Sequence, residues 1–423
     1  MICSYKKCIL MLCALTTVAC NTNMFNEEDY KTLVEQAQPV KGIDPSHTWE
    51  LTSLYYLTVS TDNVMPKATR LQILDANPAA GNGAMVLGDY PLDGGPTEDV
   101  AFVAPNTQTT FYAALVDDDG KYTITPFTSA NRSVDFSSPL ATNVEVDERL
   151  VGEQVFSYCF EDEMPVPGDY DYNDVVLRIS QERTAADQIT LNVTLAAVGS
   201  LSQVAAALRL VNYKFEDIVS VTTVDDETFD KGYKKTALPF IDSNELLIKG
   251  MNGEAVINLF EDAHWATGVA RYASEGYIPR YRYNVSKTTG PDDDMMAPRT
   301  ISYVITFKNP QNLNYFTLNE LDPFAILEYN GILMEEHAQY NYKNVTTLHK
   351  YTQPSGAVIL PWALVVPSGS FRYPLNGVTI GFSNENGVLF GAYMTQRHSF
   401  GEWAVKASEA HDWYLYPTGN MVY

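Results

Sequence analysis

The residues best suited to chemistry lie in one acidic stretch, residues 160–179, which reads FEDEMPVPGDYDYNDVVLRI. A Pro-Gly turn in this stretch is followed by Asp169, Asp171 and Asn173 at alternate positions. If the chain is extended here, the three oxygen-bearing side chains share one face. Two carboxylates about 5 Å apart repel by roughly 3 kcal/mol at an effective dielectric constant of 20, but by less than about 1 kcal/mol in water. The stretch therefore needs a cation if it packs against a sheet, and needs none if it is a solvated loop.

The ligand types in this stretch favour calcium. Carboxylate and amide oxygens suit a hard cation that takes about six to eight oxygen ligands, and residues 160–179 contain no imidazole or thiol. An EF-hand loop shares the first offsets, but it has glycine at its sixth position and glutamate at its twelfth, where this chain has Asp174 and Ser180. The predicted ligands of a structural calcium ion are Asp169, Asp171, Asn173, Asp174, Glu161 and Asp162. The alternative is a solvated acidic turn without metal.

The elements that must position this stretch are predicted β-strands. Short runs rich in β-branched and aromatic residues are separated by turn clusters such as residues 92–96, which read LDGGP. The runs comprise residues 51–59, 111–116, 122–125, 175–179, 189–198, 301–307 and 378–382. This pattern predicts a mainly β protein with two sandwich-like or jelly-roll-like units of antiparallel strands and few short helices.

Length and composition limit the class of protein. The chain has 423 residues, of which 45% are hydrophobic and 19% charged, and this balance is typical of a folded protein of about two domains. The formal net charge of -24 repels phosphate backbones, so we expect no nucleic-acid partner. We place a boundary after residue 185, so that residues 47–185 form an N-terminal β domain ending in the acidic motif and residues 186–423 form a C-terminal β-rich domain.

The N-terminus predicts export. Lys6 and Lys7 precede an apolar run over residues 9–19 that is too short to span a bilayer, as in a signal peptide of residues 1–19. Cys20 follows Thr-Val-Ala and resembles the cysteine of a bacterial lipobox, which becomes the lipidated N-terminus; ordinary cleavage before Cys20 is the alternative. Residues 20–46 would then be a lipid-anchored tether. With Cys20 acylated, only Cys159 remains in the mature chain, so no intramolecular disulfide forms and Cys159 is expected to be a small buried residue.

The acidic stretch also resembles the signature of the LruC-domain proteins, outer-membrane lipoproteins of Gram-negative bacteria whose C-terminal part is a domain of unknown function. Later segments are similar too, over about residues 110–423. These segments are residues 322–324 (DPF), 360–364 (LPWAL), 371–374 (FRYP), 400–403 (FGEW) and 412–414 (DWY). The resemblance implies a β-rich lipoprotein of the outer membrane, on its periplasmic or external face, with a calcium-binding acidic loop and no assignable catalytic residue. Residues 374–376 (PLN) depart from the pattern, in which an acidic residue follows the Tyr-Pro pair.

Catalytic motifs are absent from the sequence. There is no Gly-x-Ser-x-Gly motif, and the six histidines do not have the spacing of a zinc site. Residues 335–337, Glu-Glu-His, are expected to be a solvated polar segment. We therefore predict a non-enzymatic binding or adhesion protein with a glycan or protein ligand. The alternative is a glycoside-processing enzyme that uses two carboxylates.

Overall fold

The computed structural model of the chain describes residues 32, 35, 36 and 39–423, with gaps within the latter range. The gaps are residues 62–64, 66, 93, 138–139, 166–167, 231–238, 269–280, 289, 291–292, 340–344, 350–358 and 384–388. The predicted signal peptide, Cys20 and most of the predicted tether lie outside the described residues.

The first part of the chain consists of nine strands. These are β1 (Thr52–Ser60), β2 (Ala68–Leu74), β3 (Ala84–Pro91), β4 (Thr97–Pro105), β5 (Thr110–Asp117), β6 (Lys121–Thr128), β7 (Ser133–Asp135), β8 (Thr142–Glu145) and β9 (Val151–Glu153). They form a three-stranded sheet in the order β4-β1-β7 and a six-stranded sheet in the order β8-β6-β5-β2-β3-β9. Leu71, Phe102 and Phe111 come from both sheets and share one buried cluster, so this region is a β-sandwich.

The middle of the chain forms a second sandwich. Its strands and two short pairing segments are β10 (Val155–Phe160), β11 (Val175–Ala185), β12 (Gln188–Ala197), β13 (Ala205–Lys214), β14 (Ile218–Thr223), β15 (Leu247–Lys249), β16 (Glu254–Phe260), β17 (Arg282–Tyr283), β18 (Asp293–Asp294), β19 (Arg299–Phe307), β20 (Leu321–Tyr329), β21 (Ile332–His337) and β22 (Ala363–Val366). One antiparallel sheet has the order β14-β19-β12-β11-β10-β22, and the other has the order β15-β16-β13-β20-β21. Alternate residues of both sheets, such as Leu191 and Leu208, meet in the largest apolar cluster.

The C-terminal segment is the part of the chain after β22. It covers the outer face of the six-stranded sheet, which is the face that points away from the interior of the second sandwich. Trp403 and Trp413 from this segment share a buried cluster with Cys159 and Val176 of that sheet, and Trp49 packs edge-on against Trp403 at a centroid distance of 5.4 Å. The remaining strands and α-helices are α1 (Ala263–Ala266), β23 (Phe382–Ser383), β24 (Leu389–Phe390), β25 (Met394–Thr395), β26 (His398–Ser399) and α2 (Phe400–Val405). The 3-10 helices are Pro78–Ala80, Glu148–Leu150, Phe215–Asp217, Val224–Asp226, Pro310–Tyr315, Leu318–Glu320 and Trp413–Leu415.

The predicted fold class is confirmed: the chain is mainly β, with antiparallel sandwiches and short helices. Cys159 is fully buried, as expected, and burial raises the pKa of its thiol to about 12. The predicted boundary after residue 185 falls in the turn between β11 and β12, whose ends pair at Ala185 and Gln188 within one sheet. The division into domains stays a prediction. Among the described residues, no helix combines the length and the apolar character that crossing a bilayer requires.

Candidate metal centre

The acidic loop joins two neighbouring strands of the second sandwich. Glu161 directly follows β10, and the backbone N–H of Asp174, just before β11, donates to the carbonyl of Phe160 at 3.2 Å. The Glu161 carboxylate accepts hydrogen bonds from the backbone N–H groups of Tyr170, at 3.1 Å, and Tyr172, at 2.5 Å. The loop therefore winds around the side chain of Glu161.

The prediction of an extended backbone across this loop is wrong. Tyr170 and Tyr172 have φ angles of 54° and 51°, in the left-handed region that side chains disfavour. Both rings are nevertheless buried against the apolar outer face of the sheet, and the hydroxyl of Tyr172 donates to the carbonyl of Pro361 at 2.7 Å. Ring burial and the hydrogen bonds to Glu161 hold these two residues in a conformation that alternation alone does not predict.

The structure brings carboxylates together in two groups that share Glu161. One group is Glu161, Asp169 and Asp171, and the other is Glu161, Glu163 and Asp174. Within each group, one carboxylate oxygen from each residue lies within 4.8 Å of the others. Oxygens that bind one calcium ion at about 2.4 Å can be at most about 4.8 Å apart, so either group has dimensions that fit calcium.

Most of these carboxylates are at least half-buried, and the charged groups that shift the pKa values of Glu161, Glu163 and Asp174 are other carboxylates. Glu161 and Asp171 are only 1% and 2% exposed, Asp174 is buried, Glu163 is half-buried and Asp169 is exposed. Burial, strengthened by the neighbouring carboxylates, raises the pKa of Glu161 and Asp174 well above the usual range. The same causes raise the pKa of Glu163 to about 8 and that of Asp171 to about 7. Although Asp169 is exposed as a residue, partial desolvation of its carboxyl group also raises its pKa. A divalent cation would reverse these shifts.

Two predicted ligands, Asp162 and Asn173, are not part of either carboxylate group. The carboxylate of Asp162 belongs to neither group and accepts a hydrogen bond from the hydroxyl of Ser200. The amide nitrogen of Asn173 donates to the carbonyl of Pro374 at 3.1 Å, and its Oδ1 atom is buried without a hydrogen-bond partner among the described residues. This oxygen remains available as a neutral ligand.

Glu163 belongs to the cluster but was missed by the sequence analysis. The signal that could have found it is its spacing, because Glu161 and Glu163 alternate as Asp169 and Asp171 do. The prediction for residues 335–337 was wrong: Glu335, Glu336 and His337 are buried, because they lie in β21 and face the neighbouring sheet or a buried polar network instead of solvent.

A cavity of about 210 Å³ lies where the two sandwiches meet. The amide nitrogen of Gln72 donates to Asp89 at 3.2 Å, and that of Gln181 donates to the carbonyl of Phe316 at 3.4 Å. These bonds leave the Oε1 atoms of both glutamines buried and without a hydrogen-bond partner among the described residues. Both glutamines line the cavity, but neither Oε1 atom is accessible from it; the exposed carboxylates at its wall belong to Glu153 and Glu182.

The fold and the cluster define a two-sandwich β protein with a candidate metal centre. The family described as "Domain of unknown function (DUF4842)" matches residues 185–414, which is 230 of the 423 residues. The chain belongs to this family. The acidic loop lies just before the matched region.

The curated proteins contain no match to the chain. A solved structure described as "a Putative lipoprotein from Bacteroides ovatus" is 12% identical, with a TM-score of 0.47, and the match covers 84% of this chain and 99% of that one.

Proposed function

We propose that the protein is an exported, lipid-anchored binding protein of the outer membrane whose second sandwich is stabilised by calcium. The observation that carries the calcium part is the convergence of Glu161, Asp169 and Asp171. Two of these residues are buried, and the charged groups that shift the pKa values of Glu161 and Asp171 are other carboxylates. Attachment through a lipid on Cys20, and the affinity with LruC-domain lipoproteins, rest on the sequence.

Calcium at this position would hold the C-terminal segment on the sheet. Asp171 accepts a hydrogen bond from the backbone N–H of Gly377 at 2.7 Å, and the carbonyl of Tyr170 accepts one from Ile380 at 2.8 Å. An ion that fixes Asp171 therefore also fixes the segment that covers the outer face. Such a device suits a chain in which one cysteine, Cys159, is left after lipidation of Cys20.

Binding fits the described residues better than glycoside hydrolysis does. Glu161 and Asp171 are too deeply buried to reach a glycosidic bond, which two catalytic carboxylates must flank. The cavity between the sandwiches instead has exposed carboxylates at its wall, those of Glu153 and Glu182, which can accept hydrogen bonds from ligand hydroxyl groups. We therefore favour the end of a glycan over a protein as the ligand at that cavity.

The calcium part is tested by thermal unfolding of the full chain after treatment with a chelator. Calcium at 100 times its dissociation constant should stabilise the fold by about 2.7 kcal/mol, and magnesium at the same concentration should stabilise it less, because it prefers a smaller octahedral site. An unchanged melting temperature on adding calcium or chelator would refute the site.

The ligand part is tested on a glycan array with the wild type and Gln181→Ala. We expect binding that Gln181→Ala weakens about tenfold or more, while Gln188→Ala, at the end of the same hairpin and outside the cavity, has no effect. Absence of any glycan ligand would reject the cavity as a sugar site. Sugar release that disappears in Glu182→Gln, at the cavity wall, would reject the non-enzymatic role.

The anchor is tested by fractionation of cells that express the full chain. The wild type should fractionate with membranes, and Cys20→Ala should be released in soluble form, because a chain without the acylated cysteine lacks the lipid. Membrane association that survives Cys20→Ala would reject attachment through this residue.

A further inference from the structure

The C-terminal segment is a separate layer on the second sandwich. Among the described residues, none of its strands pairs with the six-stranded sheet: β23 pairs with β24, and β25 pairs with β26. Its aromatic side chains, such as Trp403 and Trp413, share a buried cluster with Cys159 and Val176 of the sheet, and this cluster is distinct from the one between the two sheets. A layer held mainly by side chains can open while the strands beneath it stay paired.

The acidic loop holds this segment at one stretch, residues 374–380. Three hydrogen bonds join the two: the Nδ2 atom of Asn173 donates to the carbonyl of Pro374 at 3.1 Å, the N–H of Gly377 donates to Asp171 at 2.7 Å, and the N–H of Ile380 donates to the carbonyl of Tyr170 at 2.8 Å. Asp171 is also a proposed calcium ligand. The ion and the segment therefore meet at one carboxylate.

The loop in turn depends on the segment for its shape. The ring of Tyr170 meets that of Phe382 edge-on, with 6.0 Å between the ring centroids, and the rings of Tyr172 and Phe400 are 6.2 Å apart. The two tyrosines flank Asp171 and have the left-handed backbone conformation. This conformation is unfavourable for residues other than glycine, and the buried rings offset its cost. Without the segment, the loop loses the support that holds Asp171 in the carboxylate cluster.

We infer that calcium at the loop controls a local opening of the C-terminal segment, in which the segment leaves the six-stranded sheet while the two sheets of the sandwich stay together. An ion that binds the closed form more tightly than the open form shifts the equilibrium toward the closed form. The inference rests on the proposed calcium binding at the loop. Opening uncovers Cys159, which is fully buried beneath the segment.

Alkylation of Cys159 by iodoacetamide measures this opening. The full chain carries the substitution Ala206→Cys, which places a second thiol in the fully buried interior between the two sheets. Mass spectrometry of the separate peptides gives the rate for each thiol in calcium and in chelator. Calcium at 100 times its dissociation constant should slow the alkylation of Cys159 by about tenfold to a hundredfold. In chelator, the introduced thiol should react more slowly than Cys159 by about tenfold or more, because it is reached only when the sheets separate.

Hydrogen exchange of the wild type repeats this comparison without a substitution. Peptides over residues 374–380 should exchange faster in chelator than in calcium, while peptides over β13 should stay protected under both conditions. Asp171→Asn should make the alkylation rate of Cys159 independent of calcium. Asp119→Asn, the same change at an exposed turn, should keep the calcium dependence of the wild type.

Calorimetric titration with calcium separates the two proposals. If calcium binds but Cys159 is alkylated at the same rate with and without it, the inference is wrong and the calcium site stands. Equal rates for both thiols, with residues 374–380 and β13 exchanging together, would show that the chain opens only as a whole and would also overturn the inference. If no calcium binds, both proposals fail.

Discussion

Two acidic clusters in the second sandwich are both largely buried, but they differ in the charged groups that surround their carboxylates. The loop cluster comprises Glu161, Glu163, Asp169, Asp171 and Asp174, and the charged groups that shift the pKa values of Glu161 and Asp174 are other carboxylates. The second cluster, here called the histidine network, comprises Asp322, Glu335, His337 and Arg209 on strands β13, β20 and β21 of the five-stranded sheet. Both clusters lie in the same sandwich and are largely buried.

The histidine network carries its own positive charge. His337 bridges Asp322 and Glu335, with Nδ1 2.7 Å from one carboxylate and Nε2 3.0 Å from the other, and Arg209 donates to Asp322 at 2.9 Å. Burial alone would raise the pKa of Asp322, but His337 and Arg209 reverse the effect and lower it. Burial likewise opposes the charged form of His337, yet the two carboxylates raise its pKa to about 9.

Burial by itself does not determine the charge state of a carboxylate. Asp322 and Glu161 are equally inaccessible, and their pKa values shift in opposite directions because one faces cations of the chain and the other faces carboxylates. The histidine network is complete without an added ion. On the proposal of calcium binding, the loop cluster instead takes its positive charge from a bound ion.

The largest expected effect comes from breaking the histidine network. His337→Ala leaves two carboxylates buried without their shared cation, so we expect a loss of about 3–5 kcal/mol, equal in calcium and in chelator. Tryptophan fluorescence during urea unfolding measures it, since the described tryptophans pack in or against the second sandwich. His398→Ala, at a half-exposed pair with Asp412, should cost less than about 1 kcal/mol. A loss that depends on calcium would contradict the contrast between the two clusters.

In the loop cluster, the effect of removing a charge should depend on calcium. Asp171→Asn relieves repulsion in chelator, so the variant should be at least as stable as the wild type there. In calcium at 100 times its dissociation constant, the variant should lack most of the stabilisation of about 2.7 kcal/mol. Asp119→Asn makes the same charge change at an exposed turn and should follow the wild type under both conditions. Equal destabilisation with and without calcium would show a packing role only.

A smaller effect is expected at Gly199, which lies just after β12 and packs against Asn173 of the loop. A Cβ atom at Gly199 would lie 1.8 Å from Oδ1 of Asn173, so Gly199→Ala should displace the asparagine and cost about 1–3 kcal/mol. Calcium affinity should fall with it if Asn173 is a ligand. At Gly152 a Cβ would meet nothing within 4 Å, and Gly152→Ala should change stability by less than about 0.5 kcal/mol. Unfolding curves of both variants, with and without calcium, provide the measurement.

The dependence of stability on pH is gradual and spreads over several pH units. The pKa values of Asp171 and Glu163 rise to about 7 and about 8 from ordinary values near 3.8 and 4.5, so the folded chain binds more protons than the unfolded chain between these limits. Stability of the metal-free protein should therefore fall as the pH rises from about 4 to 8, by up to about 1.4 kcal/mol per pH unit for each of the two groups. Calcium should flatten this slope, because the ion replaces the protons.

His337 contributes to stability in a different pH range. Its pKa is raised, so its stabilisation is fully present below about 6.5 and is lost as the pH rises through about 9, with or without calcium. Unfolding measured from pH 4 to pH 9.5 in calcium and in chelator separates the two contributions. A slope between pH 4 and 8 that calcium does not change would argue against metal binding in the loop.

The β class and the acidic loop could be predicted because both depend on neighbours in sequence. Runs such as residues 189–198 alternate at the period of a strand, and that period is a local property of the backbone. Asp169 and Asp171 are near each other in the chain and meet with Glu161 across one hairpin loop. The backbone within the loop could not be predicted, because the left-handed conformation of Tyr170 and Tyr172 depends on where their rings are buried.

The sequence by itself determined a mainly β chain with an acidic loop next to a strand, since alternation and spacing act over a few residues. Only the tertiary structure decided which carboxylates lie close enough to repel one another. Glu336 lies 175 positions after Glu161, yet the loop carboxylates of Asp162 and Glu163 help to raise its pKa, whereas its neighbour His337 joins Asp322 in a neutralised network. The energy of a buried charge depends on distances to groups far along the chain, and those distances exist only once the two sheets have packed.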